Sequence, residues 1–163
     1  MIALQLMTKC AKIWLNTVQL LNIAGIRPNP DVKIVMNKED LSWLNKANQY
    51  LPMFGIPEIS IPKIDIFVQD GDIIKLGNLE IKVITTPGHT QGGVCYLVDG
   101  KLFSGDTIFR ESVGRCDLEG GNFHQIIKSI ENKIFTLPPQ TLIYPGHGRM
   151  TSVEWEKEHN NFM

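Results

Sequence analysis

The sequence predicts an α/β layered domain, with strands in succession through the middle of the chain, helices flanking them and the chemistry on strand-end loops. Three observations predict it. Short runs of β-branched and apolar residues follow one another between Val32 and Tyr144, separated by turns rich in Gly, Asn and Asp. Stretches with helical spacing stand before, between and after them. Finally, three of the strand-like runs, Leu79 to Ile84, Leu102 to Phe103 and Leu142 to Tyr144, each end in a glycine turn that carries a histidine or an aspartate. At 163 residues the length fits one domain, 1–163, which buries about two thirds of its unfolded surface.

In chain order, Leu4, Met7, Ala11, Trp14, Val18 and Leu21 recur at steps of three and four, placing them on one face of a helix over residues 4 to 24. The helix reads as core-facing, with a partner-binding helix as the alternative. Gly25 stops it, and Arg27-Pro28-Asn29-Pro30 forms a loop. Val32 to Met36 reads as a buried strand. Asn37 is the candidate N-cap of a second helix reaching Leu51. Pro52, Pro57 and Pro62 make Leu51 to Lys63 a surface loop. Asp65 to Val68, Asp72 to Leu76 and Leu79 to Ile84 read as antiparallel strands joined by Asp70-Gly71 and Gly77-Asn78 turns. Asp99-Gly100 makes a hairpin between Val94 to Val98 and Lys101 to Phe103. Asn122 is placed to cap a helix from Phe123 to Phe135, and Ser152 to cap the terminal helix.

Composition excludes several function classes. A formal charge of -1, a pI near 6.4 and scattered Lys and Arg give no footprint for nucleic acid and no lipid-binding patch. Lys9 and Lys12 interrupt the apolar N-terminus before a spanning segment forms, so neither a signal peptide nor a membrane helix is expected. Cys10, Cys95 and Cys116 lack zinc-ribbon spacing, and an odd, scattered set reads as reduced thiols in the cytoplasm. Cys95, inside Val94-Cys95-Tyr96-Leu97-Val98, reads as a small core residue.

The chemistry is expected at the three turns. They are Thr85-Thr86-Pro87-Gly88-His89-Thr90-Gln91-Gly92-Gly93, Ser104-Gly105-Asp106-Thr107 and Tyr144-Pro145-Gly146-His147-Gly148. Each presents one side chain whose imidazole nitrogen or carboxylate oxygen suits zinc, iron or manganese. His124 and His159 read as solvent-facing.

In order and context these motifs, with Phe103-Ser104-Gly105-Asp106-Thr107-Ile108-Phe109 and Val113-Gly114-Arg115-Cys116-Asp117-Leu118, resemble the metallo-β-lactamase superfamily. Within it they are similar to the small hydrolases like glyoxalase II, the hydroxyacylglutathione hydrolases. The resemblance runs from about Val32 to the C-terminus. It implies an αββα sandwich with metals at one edge, here with missing or altered N-terminal strands and a divergent or truncated region at 1–31. It also implies that His89 belongs to a first metal, that Asp106 bridges two, and that His147 belongs to the second. Arg115 and Asp117 match an active-site loop, or form a local ion pair that shapes it.

Catalysing members also carry an upstream His-x-His-x-Asp-His motif, whereas the four histidines here begin at His89. The resemblance therefore implies one weakly held zinc, iron or manganese ion, or none, where intact members hold two. The implied substrate is a small thioester of the acyl-glutathione class, hydrolysed by metal-bound hydroxide with reduced activity in this chain. Two alternatives accompany this reading: a non-catalytic or truncated member that acts by binding, and an iron-dependent oxygenase resembling persulfide dioxygenases. A homo-oligomer is compatible with either.

Overall fold

The structure, a computed structural model, describes residues 33–54, 57, 58, 61 and 63–163. The helix expected over residues 4 to 24, region 1–31 and Cys10 lie outside the described residues. Strand β1 (Val35–Asn37) leads into a 3-10 turn (Lys38–Asp40), helices α1 (Leu41–Asn45) and α2 (Ala47–Tyr50), and a second 3-10 turn (Leu51–Phe54). There follow β2 (Ile66–Val68), β3 (Ile73–Leu76), β4 (Leu79–Thr85), β5 (Val94–Val98), β6 (Lys101–Gly105) and the short β7 (Ile108–Phe109) and β8 (Ser112–Val113). The chain closes with α3 (Phe123–Ser129), which widens into a π turn (Ile130–Ile134), then β9 (Leu142–Pro145), β10 (Thr151–Ser152) and α4 (Val153–His159).

A six-stranded sheet in the order β10-β9-β6-β5-β4-β3 forms the centre, antiparallel except where β6 and β9 run parallel. Strand periodicity fixes what each face meets. Along β5, Cys95 and Leu97 join one apolar cluster, with Ile126, Ile130 and Ile134 from α3 and its π turn and Val153 from α4. Val94, Tyr96 and Val98 point the other way, to Val35 and Val68 of the β1-β2 pair. On β1, Met36 faces outward and packs with Leu44, Ala47 and Leu51 of the α1-α2 layer. The layers therefore run helix, sheet, sheet, helix, the αββα sandwich expected. Ile126, Ile130 and Ile134 are fully buried, each stabilising the stack by about 1.5–3 kcal/mol.

Local signals match the expected elements where the chemistry is local. Asp99 and Gly100 have φ of 48° and 69°, the pair a tight β5-β6 hairpin requires. Asn122 Oδ1 accepts the Gln125 amide at 3.0 Å and Ser152 Oγ accepts the Trp155 amide at 3.2 Å, capping α3 and α4.

Two expectations are corrected. Residues 65 to 68 do not extend the antiparallel sheet; β2 pairs in parallel with β1, Val35 opposite Ile66 and Asn37 opposite Val68. Val68 is buried between the sheets, and Asp65 Oδ2 accepts the Ile34 amide at 2.8 Å, which anchors the segment to β1. The second helix is not continuous either. It opens as a 3-10 turn capped by Asn37 and breaks at Lys46, φ -91° and ψ 0°, where one amide is shared between the Ser42 and Trp43 carbonyls.

The Asp70-Gly71 turn serves as a link between sheets. Asp70 Oδ1 accepts the Thr85 amide at 2.7 Å, the Thr85 hydroxyl at 2.9 Å and Lys133 Nζ at 3.0 Å. Burial pushes its carboxyl up, but these donors together outweigh that and hold it below the ordinary range. A depressed carboxyl contributes stability above the ordinary carboxylate range and loses it as pH falls through the folded value. Asp70→Asn is therefore expected to lower the melting temperature at neutral pH, with the gap to wild type closing as both are measured in increasing acid. A gap independent of pH would contradict the ionised role.

Candidate metal centre

The three turns meet at one edge of the sandwich. The first leaves β4 through Thr86 and Pro87, and Gly88 turns with φ of 143° so closely against α3 that a Cβ there collides with the Ile126 backbone. His89 is thereby buried, 6% exposed. Its Nδ1 lies 2.7 Å from the carbonyl oxygen of Arg115. A carbonyl only accepts, so Nδ1 carries a proton and Nε2 is the ring nitrogen left to face a metal. That nitrogen stands 3.7 Å from Asp106 Oδ2.

Asp106 follows β6 and is likewise buried. Its other oxygen, Oδ1, lies 3.6 Å from His147 Nε2 in the third turn. The Gly146 amide donates to the Gly105 carbonyl at 2.8 Å, locking the second and third turns together. His147 is exposed, its ring 6.1 Å from that of Phe109.

These separations bear on metal binding. Both exceed hydrogen-bond distance, while two ligand atoms about 2.1 Å from one tetrahedral ion stand about 3.4 Å apart. Each imidazole and the carboxylate oxygen it faces thus fit as a ligand pair, and Asp106 belongs to both pairs. Among the described residues no three His, Cys, Asp or Glu side chains converge on a single ion. The set is two half-sites with a shared carboxylate, and in that sense the residues fit a bridged pair of metals more closely than one complete shell.

A buried polar seam fixes the first two turns relative to each other. The Thr86 and Thr107 hydroxyls are 2.8 Å apart, and Cys95 Sγ lies 3.3 Å from Thr86 Oγ1. Burial pushes the Cys95 thiol up to about 11, making it an inert core residue as expected. Gly114 seats the β8 exit directly on the Asp106 carbonyl oxygen, which a Cβ would strike.

Arg115 and Asp117 form a bidentate ion pair at 2.7 and 2.8 Å on the exposed face of this loop. The Arg115 hydrogen bonds hold the Asp117 carboxyl down to about 2. It is the Arg115 carbonyl that reaches His89, through a main-chain group carrying no residue-specific signal. His124 and His159 are exposed, the latter stacked on Trp155 at 4.0 Å between centroids. The sequence reading also missed Asp40, which accepts hydrogen bonds from Thr90 and Gly92 beside His89. An acidic residue near a helix start is too ordinary to signal that contact.

Among the described residues no helix is long and apolar enough to cross a membrane. Comparison with known proteins identifies the family. The family profile described as the metallo-beta-lactamase superfamily matches residues 21–147. A probable metallo-hydrolase of Bacillus subtilis is 34% identical over 142 residues, covering 85% of this chain and 67% of the relative. The crystal structure of a B3 metallo-β-lactamase superposes with a TM-score of 0.78 at 32% identity, covering 86% of this chain and 69% of that one. A crystal structure in a di-iron-bound form gives 0.73 at 30% identity, covering 82% and 66%. The chain spans about two thirds or less of the length of several curated relatives, 61% of an Aquifex aeolicus protein for instance. By the profile match over most of its length, and by relatives that share its fold, the chain belongs to the metallo-β-lactamase superfamily.

Proposed function

We propose that the edge formed by His89, Asp106 and His147 is the shared half of a metal-dependent hydrolase centre acting on thioesters of the acyl-glutathione class. The observation that carries this reading is Asp106, whose Oδ2 and Oδ1 face separate imidazole nitrogens at 3.7 and 3.6 Å. A divalent ion bound there supplies a water ionised near neutral pH and polarises the substrate carbonyl. The chain's own residues orient that chemistry. Arg115 fixes the tautomer of His89 through its carbonyl, Asp106 offers one oxygen to each half-site, and Gly146 sets the His147 turn against β6. Each half-site has fewer ligands than the three protein groups of a catalytic zinc site. In this chain metal is held weakly and turnover is reduced.

Supporting the reading, a relative at 34% identity is named a probable metallo-hydrolase. Incubation with zinc and a hydroxyacyl-glutathione thioester, followed by thiol release, tests it. Slow release that requires metal and vanishes in His89→Ala supports the proposal. Metal uptake without thiol release overturns the thioester assignment and leaves a protein that acts by binding. Iron with oxygen chemistry, resembling persulfide dioxygenases, is the second reading. A structural neighbour in a di-iron-bound form favours it. Oxygen uptake with a persulfide substrate separates the two.

A further inference from the structure

Asp40 is a buried acid that the hydrolase reading does not use. It closes the 3-10 turn before α1 and is only 3% exposed. Its Oδ2 accepts the Thr90 hydroxyl at 2.8 Å and its Oδ1 the Gly92 amide at 2.7 Å. These donors belong to the turn that carries His89, on either side of Gln91 and fifty positions further along the chain than Asp40. Contact is close enough to forbid a side chain at Gly92, where a Cβ meets Asp40 Cγ at 2.7 Å and its backbone nitrogen at 2.8 Å.

We propose that Asp40 is a positioning residue of the metal site, clamping the His89 turn to the outer helical layer through Thr90 and Gly92. A buried carboxylate is costly unless its lone pairs are engaged. Here both oxygens are engaged, and both by the same short turn. A carboxylate suits the task because it accepts twice and donates nothing, so one planar group grips a hydroxyl and an amide from a single direction. Burial pushes its carboxyl above the ordinary range, and the Thr90 hydroxyl and the Gly92 amide pull it only part of the way back.

The clamp complements the Arg115 carbonyl. That carbonyl sets how the imidazole is rotated; Asp40 sets where the backbone bearing it lies. The same helical layer also grips the loop after β8 that carries Arg115. Trp43 Nε1 donates to the Glu119 carbonyl at 2.9 Å, and Lys46 Nζ to Glu119 Oε1 at 2.8 Å. These ties and the Asp40 clamp come from residues 40–46, so this short stretch holds both the His89 turn and the loop that carries Arg115.

The metal part of this inference rests on the hydrolase reading, whereas the clamp itself does not. Two measurements on wild type, Asp40→Ala, Asp40→Asn and Thr90→Val separate them. The first is amide hydrogen exchange of residues 88–93 in metal-free protein. Asp40→Ala is expected to speed exchange in this turn about tenfold relative to the β5 and β6 amides. Asp40→Asn, whose carbonyl oxygen still accepts Gly92 and whose amide donates to the Thr90 oxygen, stays within about threefold of wild type. Thr90→Val, a milder loss that keeps the Gly92 bond, falls between them and serves if Asp40→Ala does not fold. The second is zinc affinity by competition with a chromophoric chelator, expected to fall about tenfold in Asp40→Ala and to be rescued in Asp40→Asn.

Wild-type exchange in the turn of Asp40→Ala overturns the clamp, as does Asp40→Asn behaving like Asp40→Ala in both readouts. Zinc affinity unchanged in Asp40→Ala despite faster exchange overturns the link to the metal. A wild-type chain that takes up no zinc contradicts the hydrolase reading, and the exchange measurement still decides whether Asp40 holds the turn.

Discussion

Asp106→Ala is expected to weaken metal binding at both half-sites together, by more than about 100-fold, beyond the range seen when outer-shell partners are lost. The reason is geometric. Asp106 supplies Oδ2 to the pair with His89 and Oδ1 to the pair with His147, so one substitution removes a ligand from each. His89→Ala and His147→Ala each remove one ligand from one pair and are expected to leave the other half-site measurable. The fold predicts the opposite ranking for stability. Asp106 is buried, and its oxygens face imidazoles beyond hydrogen-bond distance, so truncating it removes a desolvated charge with little to replace. Metal-free Asp106→Ala therefore melts within a few degrees of wild type, roughly 1 kcal/mol or less. Equilibrium dialysis with zinc and thermal unfolding check the two halves. An Asp106→Ala protein that retains zinc at wild-type affinity contradicts the bridging role.

Gly114→Ala carries the second large effect, and it damages fold and site at once. A Cβ at Gly114 runs into the Asp106 carbonyl oxygen, with His89 Cβ at 3.4 Å on the same side. The obstacle is backbone, so no side-chain rotation relieves it. The β8 exit has to shift, and with it the Arg115 carbonyl, which stands 2.7 Å from His89 Nδ1 and fixes the ring. Overpacking of this kind costs about 1–3 kcal/mol, and the loss of imidazole orientation lowers metal affinity by about 10- to 100-fold as well. Gly77→Ala is the matched control. Gly77 has φ of 59° with open space around the added Cβ, so the substitution strains the β3-β4 turn by about 1 kcal/mol without touching the site. Metal affinity equal in the two variants, at similar melting temperatures, contradicts the role given to the Gly114–Arg115 segment.

What the sequence made legible was local. Glycine and proline punctuation located all three site turns, because a strand that ends on Pro87-Gly88, Gly105 or Pro145-Gly146 needs those residues for its backbone. Asn122 and Ser152 announced helix starts through their own side chains. The choice of His89, Asp106 and His147 followed from the metal-ligating side chain that each turn presents, while the αββα layering and the assignment of the three to two metals came through the resemblance of whole motifs.

Long-range choices were not legible. Asp70-Gly71 looks like a hairpin turn, and nothing local distinguishes a strand that folds back from one that crosses to a second sheet. Burial of Val68 against Val35 decides it. Nor does local sequence show that Lys46 ends a helical run that its neighbours favour. The groups that hold the imidazole were hidden for a different reason. One is a carbonyl 26 positions from His89, the other an aspartate 50 positions from Thr90, and neither separation leaves a pattern along the chain.

The central claim is that Asp106 bridges two half-sites, one with His89 and one with His147. Anomalous diffraction from crystals soaked in zinc, with data on either side of the zinc absorption edge, tests it most directly. The account predicts zinc signal within bonding distance of His89 Nε2 and Asp106 Oδ2, of His147 Nε2 and Asp106 Oδ1, or of both pairs. Zinc bound elsewhere on the chain while both pairs stay empty at saturating metal would contradict it.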